Sequence, residues 1–488
     1  MNRLKISGNG RYFEKEDGTA FVWLADTAWT VPARLKWDDV IYYMKTRKQQ
    51  GFTVLQMVVL DPEYNEEMKN PCGIPALKNA DLQQPVEEYF SYVDWVLDQA
   101  EAYGFYVLLL PVWGEMVVGW DWSGGTHPRY VTAENAASYG KWLGERMKHR
   151  NNILWCLGGD RMPVCRGEDF RPVWREMAEG LSEGLTGRRL RYDHDSSEWK
   201  KLMITYHACH EAETGECSTF SYWTARDKWI SFTMLQSGHG PDKKNYELIA
   251  AERLPKSGSI YPVWDGEPAY EMMPMTWPVE DENSFHGTGI VRNRAYWALL
   301  AGAFGHTYGH ASVWCTATEK DKNAICRYTW AQAIHSEGSE QMKILRDFME
   351  SFALSQFEPC QERLLRQAAS EDELCIHEQA AVNPAEKQML IYFASDTQEQ
   401  INLEGIFESE VFASWFDPKN AALSAVERIE LSEDLQTGIK CILQIKNETC
   451  DGGDRVLILA SAPDKIKIVS GTYGTDDEQM SARKVFEW

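Results

Sequence analysis

No run in this chain approaches the ~20 apolar residues that a membrane span requires. The longest, FYVLLLPVW over 105–113, is less than half that length. Positive charge is scarce: 50 Lys and Arg stand against 73 Asp and Glu, for a net charge of -23. With no basic stripe or basic amphipathic helix to offset it, such a chain repels phosphate backbones, which excludes a nucleic-acid partner. The residues after Met1, NRLKISGNGRYFEKEDG, contain no apolar signal core and no small-residue cleavage site. The expected location is therefore the cytoplasm, although a secreted or periplasmic chain with its leader removed reads the same. The 11 cysteines are an odd, scattered set, several of them in apolar runs (Cys156, Cys315), as reduced core thiols are. Internal repeats, low-complexity segments and flexible linkers are also absent.

What is present is alternation. Short apolar runs at 21–26, 52–60, 105–112, 152–158, 201–207, 229–236, 260–266 and 304–310 are mostly followed by helical patterns, at 37–50, 86–103, 134–149, 169–183, 246–253, 291–300 and 341–352. The fifth run lacks a clear helix before the sixth. Runs of this kind, rich in Val, Ile and Trp, read as parallel strands buried on both faces. Eight such units predict a (β/α)8 TIM barrel, whose active face lies at the strand C-termini. Beyond residue 356 short alternating segments, 388–395, 409–417, 439–447 and 455–462, predict a small antiparallel β-sandwich. The expected domains are a barrel over 1–356 and a sandwich over 357–488, packed together because no flexible linker separates them.

Two acids close two of the barrel runs: Asp160 ends ILWCLGGD and Glu267 ends IYPVWDGE, after the fourth and seventh strands. Hydrolysis of a glycosidic bond needs two carboxyl groups flanking it, one donating a proton and the other acting as nucleophile or base. Around the same expected mouth stand Asp26, Trp29, Trp113, Tyr206, His207, Gln236, His239, Trp264, His306 and Tyr308. Carboxylates, amides and imidazoles bond hydroxyls from both sides, and Trp and Tyr offer flat faces to the C–H side of a sugar ring. These residues are expected to bind a carbohydrate.

Other chemistries fit less well. HACH (207–210) and HTYGH (306–310) present paired imidazoles, but HExxH is absent and HTYGH lies in a strand, so no metal and no cofactor are expected. Ser237 in QSGHG is not in a G-x-S-x-G elbow. Cys209 lacks a defined base, and GNG at 8–10 follows no strand and reads as a turn rather than a phosphate cradle. A non-catalytic carbohydrate-binding protein remains the alternative from a different class.

The stretches DTAW (26–29), LPVWG (110–114), ILWCLGGD (153–160), TYH (205–207), MLQSGH (234–239), DGEPAYE (265–271) and AYWALLAGAFGHTYGHASVW (295–314) resemble the apiosidase-like glycoside hydrolases, family GH140. SWFDPKN (414–420) is similar to the small domain that follows that barrel, a collagen-binding-type domain by its usual label, though nothing in it suits collagen chemically. The resemblance covers nearly the whole chain. It implies that Asp160 and Glu267 match the family's catalytic pair, and that the substrate is a terminal furanoside of apiose, with another pentose or deoxy sugar as the alternative. Gly159 stands before the first acid where better-known barrel glycosidases carry Asn, so another group, His207 or Gln236, is expected to replace that amide.

Overall fold

A computed structural model describes residues 1–62, 68–211, 213–240, 244–276, 279, 281, 284–365, 377–434, 439–447 and 453–473. Eight strands carry the N-terminal part: β1 (Trp23–Thr27), β2 (Val54–Val58), β3 (Tyr106–Leu110), β4 (Ile153–Gly158), β5 (Ile204–His207), β6 (Thr233–Leu235), β7 (Val263–Asp265) and β8 (Gly305–Tyr308). Each is followed by a helix: α1 (Trp37–Gln49), α2 (Glu87–Ala102), α3 (Ala133–Met147), α4 (Arg171–Thr186), α5 (Thr219–Tyr222), α6 (Asn245–Glu252), α7 (Thr288–Leu300) and α8 (Glu337–Ser351). The doubtful fifth helix is real but a single turn long. All the strands are parallel, in the order β6-β7-β8-β1-β2-β3-β4-β5. The remaining seam, β5 against β6, closes through a parallel bridge between Ile204 and Ile230 and a 2.8 Å bond from the Ser231 N–H to the Ile204 carbonyl. The (β/α)8 barrel expected from the alternation is present.

Inside the barrel the lower layer is aromatic. Trp23, Phe232, Trp264 and Phe304 pack against one another, and Phe13 enters from an N-terminal hairpin (Leu4–Ile6 with Phe13–Lys15), 4.9 Å from Phe304 and 5.2 Å from Phe232 between ring centres. The turn of that hairpin contains GNG. Trp264 therefore belongs to the floor: it is fully buried and its indole N–H donates to Thr307 Oγ1 at 3.1 Å.

Residues in register on parallel strands face the same way. Asp26 and Tyr308 are partners, as are Leu24 and His306, and Leu157 and Tyr206. All six point outward into the helix layer, where Leu24, Leu157, Tyr206 and Tyr308 join the outer core cluster. Asp26 is wholly buried there, accepting from Arg47 Nε at 2.7 Å and from the Tyr43 hydroxyl. Removing one member of such a pair leaves an uncompensated buried charge, a loss of about 3–5 kcal/mol. Asp26→Ala is expected to lower the urea midpoint accordingly while the folded enzyme keeps its KM. A raised KM at unchanged stability would instead return Asp26 to the substrate.

The C-terminal part has the expected antiparallel character. Strands β9 (Glu378–Asn383), β10 (Gln388–Phe393), β11 (Thr397–Asn402), β12 (Glu410–Phe416), β13 (Glu427–Glu430), β14 (Ser432–Asp434), β15 (Ile439–Asn447) and β16 (Arg455–Ala460) form a six-stranded sheet, completed by the short strand Glu358–Pro359, and a three-stranded one, β11-β15-β14. A shared apolar cluster, including Phe393, Ile401, Leu443 and Leu457, lies between them. This part is docked on the barrel: Arg292 of α7 grips Asp454 with two bonds of 2.5 and 2.7 Å, and Tyr296 stacks on Tyr392 at 5.0 Å. Gly452, the first residue of a Gly-Gly turn signal in this part, lies outside the described residues. No helix among the described residues is long and apolar enough to cross a membrane.

Candidate active site

The C-terminal mouth of the barrel gathers seven of the expected residues: Asp160, Glu267, His207, Gln236, His239, Trp29 and Trp113. Strand phase explains the selection. His207 is the last residue of β5 and shares the inward phase of its neighbour Gly158. Gln236 follows β6 one residue beyond outward-facing Leu235. Trp29 and Trp113 pack against the imidazole of His207 at ring-centre distances of 5.6 and 5.8 Å.

The two acids sit in contrasting surroundings. Both oxygens of Glu267 face imidazoles: His207 Nε2 is 2.9 Å from Oε2 and His239 Nε2 is 3.2 Å from Oε1. His207 Nδ1 lies 3.0 Å from the Ala208 carbonyl oxygen and 3.3 Å from the Asp160 backbone nitrogen, which turns Nε2 toward Glu267. Burial alone would raise the Glu267 pKa, but these two donors and their charge outweigh it and hold the carboxyl well below the usual carboxylate range. For His207 burial works downward, and the bond to Glu267 with the negative charge of both acids lifts its pKa above the ordinary imidazole value.

Asp160 has no imidazole on its oxygens. Gln236 donates to Oδ1 at 2.9 Å, and the Trp122 indole N–H and Arg161 reach Oδ2 at 2.6 and 3.2 Å. Burial of the carboxyl and, next, the charge of Glu267 raise its pKa above that of an ordinary Asp, against the opposite pull of Arg161, His207 and Gln236. It is also the more open of the two, with 23% of its side chain exposed against 9% for Glu267.

The backbone before Asp160 explains the missing Asn. Gly158, Gly159 and Asp160 all have positive φ, at 89°, 117° and 46°. A Cβ on Gly159 would lie 2.7 Å from Trp113 Cε3 and 2.9 Å from the Gly114 nitrogen. A side chain there would have to displace Trp113, so Gly is the residue this turn accepts. The amide nearest the acid comes from Gln236 instead.

The other expected contacts lie elsewhere. Asp26, Tyr206, His306 and Tyr308 face the helix layer and Trp264 the floor, because alternate residues of a strand point to opposite faces and a run buried on both faces does not announce its phase. Residues not anticipated stand in their place. Arg161 pairs with both Asp160 and buried Glu115; only its position next to Asp160 hinted at it. Tyr270 accepts from Trp29 Nε1 at 3.3 Å and packs on His239 at 4.4 Å, three residues past Glu267 in DGEPAYE. Trp122, in a Gly-rich loop, carried no signal.

The histidine pairs weighed for metal are separated in role: His207 serves Glu267, and His306 is buried facing outward. Among the described residues, Glu115, Asp121 and His127 bring possible ligand atoms within 4.8 Å of one another. Arg161 already pairs with Glu115, and His127 lies within 3.1 Å of Glu115 and 2.7 Å of Asp121. Exhaustive chelation is expected to leave activity intact, since proton transfer and carboxylate attack need no Lewis acid. Loss of turnover in EDTA, restored by zinc, would overturn this. Cys209 is no nucleophile, because burial drives its thiol pKa far up.

Comparison with known proteins places this geometry. A solved glycoside hydrolase of family 5 from Bacteroides vulgatus superposes with a TM-score of 0.78 at 24% identity, covering 96% of this chain and 97% of its own. Another solved glycoside hydrolase superposes with a TM-score of 0.76 at 25% identity, covering 95% and 98%. No curated protein matches. Residues 7–356 match the apiosidase-like catalytic domain, so the chain belongs to the apiosidase-like family and is a glycoside hydrolase.

Proposed function

We propose that this enzyme releases a terminal furanoside, apiose, from a plant-derived oligosaccharide or glycoside, with Glu267 as nucleophile and Asp160 as general acid and base of a retaining reaction. The observation that carries this reading is the unequal treatment of two carboxyl groups at one mouth. Two imidazoles hold Glu267 ionised, whereas the more open Asp160 is pushed toward its protonated form. Two titratable groups whose surroundings drive them apart divide into base and acid. The barrel residues 1–356 would carry the whole of this machinery, and the sandwich over 357–488 a supporting role.

In the first step a Glu267 oxygen bonds to the anomeric carbon as the glycosidic C–O bond breaks, and the proton of Asp160 passes to the departing oxygen. In the second, water attacks that carbon, Asp160 takes its proton, and the ester to Glu267 opens. Gln236 holds Oδ1 of Asp160 throughout, and Trp29 and Trp113 wall the sugar. Among the described residues the buried Trp113 indole N–H has no acceptor.

A panel of nitrophenyl glycosides of apiose, arabinose, galactose and rhamnose tests the substrate. The apioside is expected to lead in kcat/KM by at least about tenfold. A faster arabinoside or rhamnoside would move the specificity to another pentose or to a deoxy sugar. The pH profile on an alkyl glycoside, whose leaving group needs the proton, tests the roles. Asp160 must enter protonated, so kcat/KM falls as pH rises through its raised pKa; Glu267 must be ionised, so the acid-side loss comes only well below the usual carboxylate range. An acid limb near pH 5 would contradict the assignment.

A further inference from the structure

Trp122 stands apart from the other tryptophans of the site: 53% of it is exposed, yet its indole N–H is 2.6 Å from Oδ2 of Asp160. It is held there by design of the loop rather than by burial. Asp121 accepts from the Gly125 N–H at 2.8 Å, from the Ser123 hydroxyl at 2.6 Å and from His127, which also touches Glu115. A bridge from Trp120 to Thr126 closes the base of the loop. Beneath the indole lie the Arg161 guanidinium, 4.9 Å from its ring centre, and the edge-on ring of Trp120 at 5.2 Å.

We propose that Trp122 is the leaving-group residue of this enzyme: its exposed face receives the ring of the departing sugar or aryl group, and its N–H positions Asp160 against the glycosidic oxygen. This rests on Asp160 acting as the acid. The group that protonates the leaving oxygen must lie on the leaving-group side of the bond, so whatever borders it toward solvent borders that group. Trp122 supplies there the flat apolar surface that a sugar or aryl ring stacks on. Its N–H bond also favours the ionised carboxylate, the form that Asp160 must regain to activate water. The charged and titratable groups around Asp160 are Arg161, His207, Glu267, Cys209 and Tyr270, so the N–H of Trp122 is a neutral donor among charges.

Two variants separate stacking from hydrogen bonding. Trp122→Phe keeps a ring and loses the N–H, while Trp122→Ala loses both; each is assayed on the nitrophenyl and methyl glycosides of whichever panel sugar the wild type cleaves best. Trp122→Ala is expected to lose about tenfold more in kcat/KM than Trp122→Phe on the nitrophenyl substrate and under about twofold more on the methyl one at the pH optimum. Trp122→Phe is expected to keep the nitrophenyl KM and to move the alkaline limb of kcat/KM on the methyl glycoside upward by about one pH unit, because the acid loses a donor that favoured its charged form. Equal losses on both substrates with an unmoved pH limb, or wild-type behaviour of both variants, would overturn the proposal. Asp160→Ala in the same assays keeps the two readings apart: if it is crippled while the Trp122 variants behave as wild type, only the role of Trp122 falls.

Discussion

Glu267→Gln is expected to end turnover on every glycoside, activated or not, with kcat lower by about 10⁴-fold or more. The substitution nearly preserves shape and leaves His207 and His239 a partner, so the folded barrel survives and the loss reports the missing nucleophile. A good leaving group offers no escape, because the lost event is formation of the bond to the anomeric carbon. Initial rates on a nitrophenyl glycoside, with thermal unfolding as a control for folding, check it. Hydrolysis at near-wild-type rates would remove Glu267 from the reaction and overturn the two-carboxylate assignment.

Asp160→Ala is expected to behave differently in kind. A poor leaving group needs the proton that Asp160 supplies, so kcat on a natural glycoside should fall by about 10²–10⁴-fold. A nitrophenolate departs without help, so the first step persists and the second, which needs a base, becomes limiting. A burst of nitrophenolate followed by slow release is the expected trace. Azide, small enough to enter where the carboxylate was, should accelerate the second step and yield a glycosyl azide. Azide rescue of Glu267→Ala instead, with the Asp160 variant inert on all substrates, would exchange the two roles.

The chain of eight barrel strands and the two acids were legible because each rests on a local signal: a short apolar run, a Gly break and an acid just past it. Phase was not legible. Tyr206 and His207 are adjacent in β5, yet one packs outward with Trp174 and Trp223 and the other reaches the site. A strand buried on both faces shows hydrophobicity everywhere, and polar residues at its end then look alike. Asp26 misled for the same reason: its buried pairing with Arg47 depends on a helix 21 residues further on, which no local pattern reveals. Trp122 and Arg161 were hidden because their importance lies in distance to Asp160 rather than in any motif. The five strands not anticipated in the sandwich, such as β13 with its ERIE sequence, carry too few apolar residues to alternate visibly.

The aromatic floor has a kinetic consequence. With Phe13 packed on Phe232 and Phe304 the floor of the barrel is filled, so what reaches the anomeric carbon enters by the C-terminal mouth, past the place where the leaving group stood. In the proposed two-step reaction water is then a successor to that group rather than a bystander. Any small alcohol that fits the vacated place becomes its competitor, so methanol or glycerol at high concentration should divert part of the sugar from hydrolysis into a new glycoside of retained configuration.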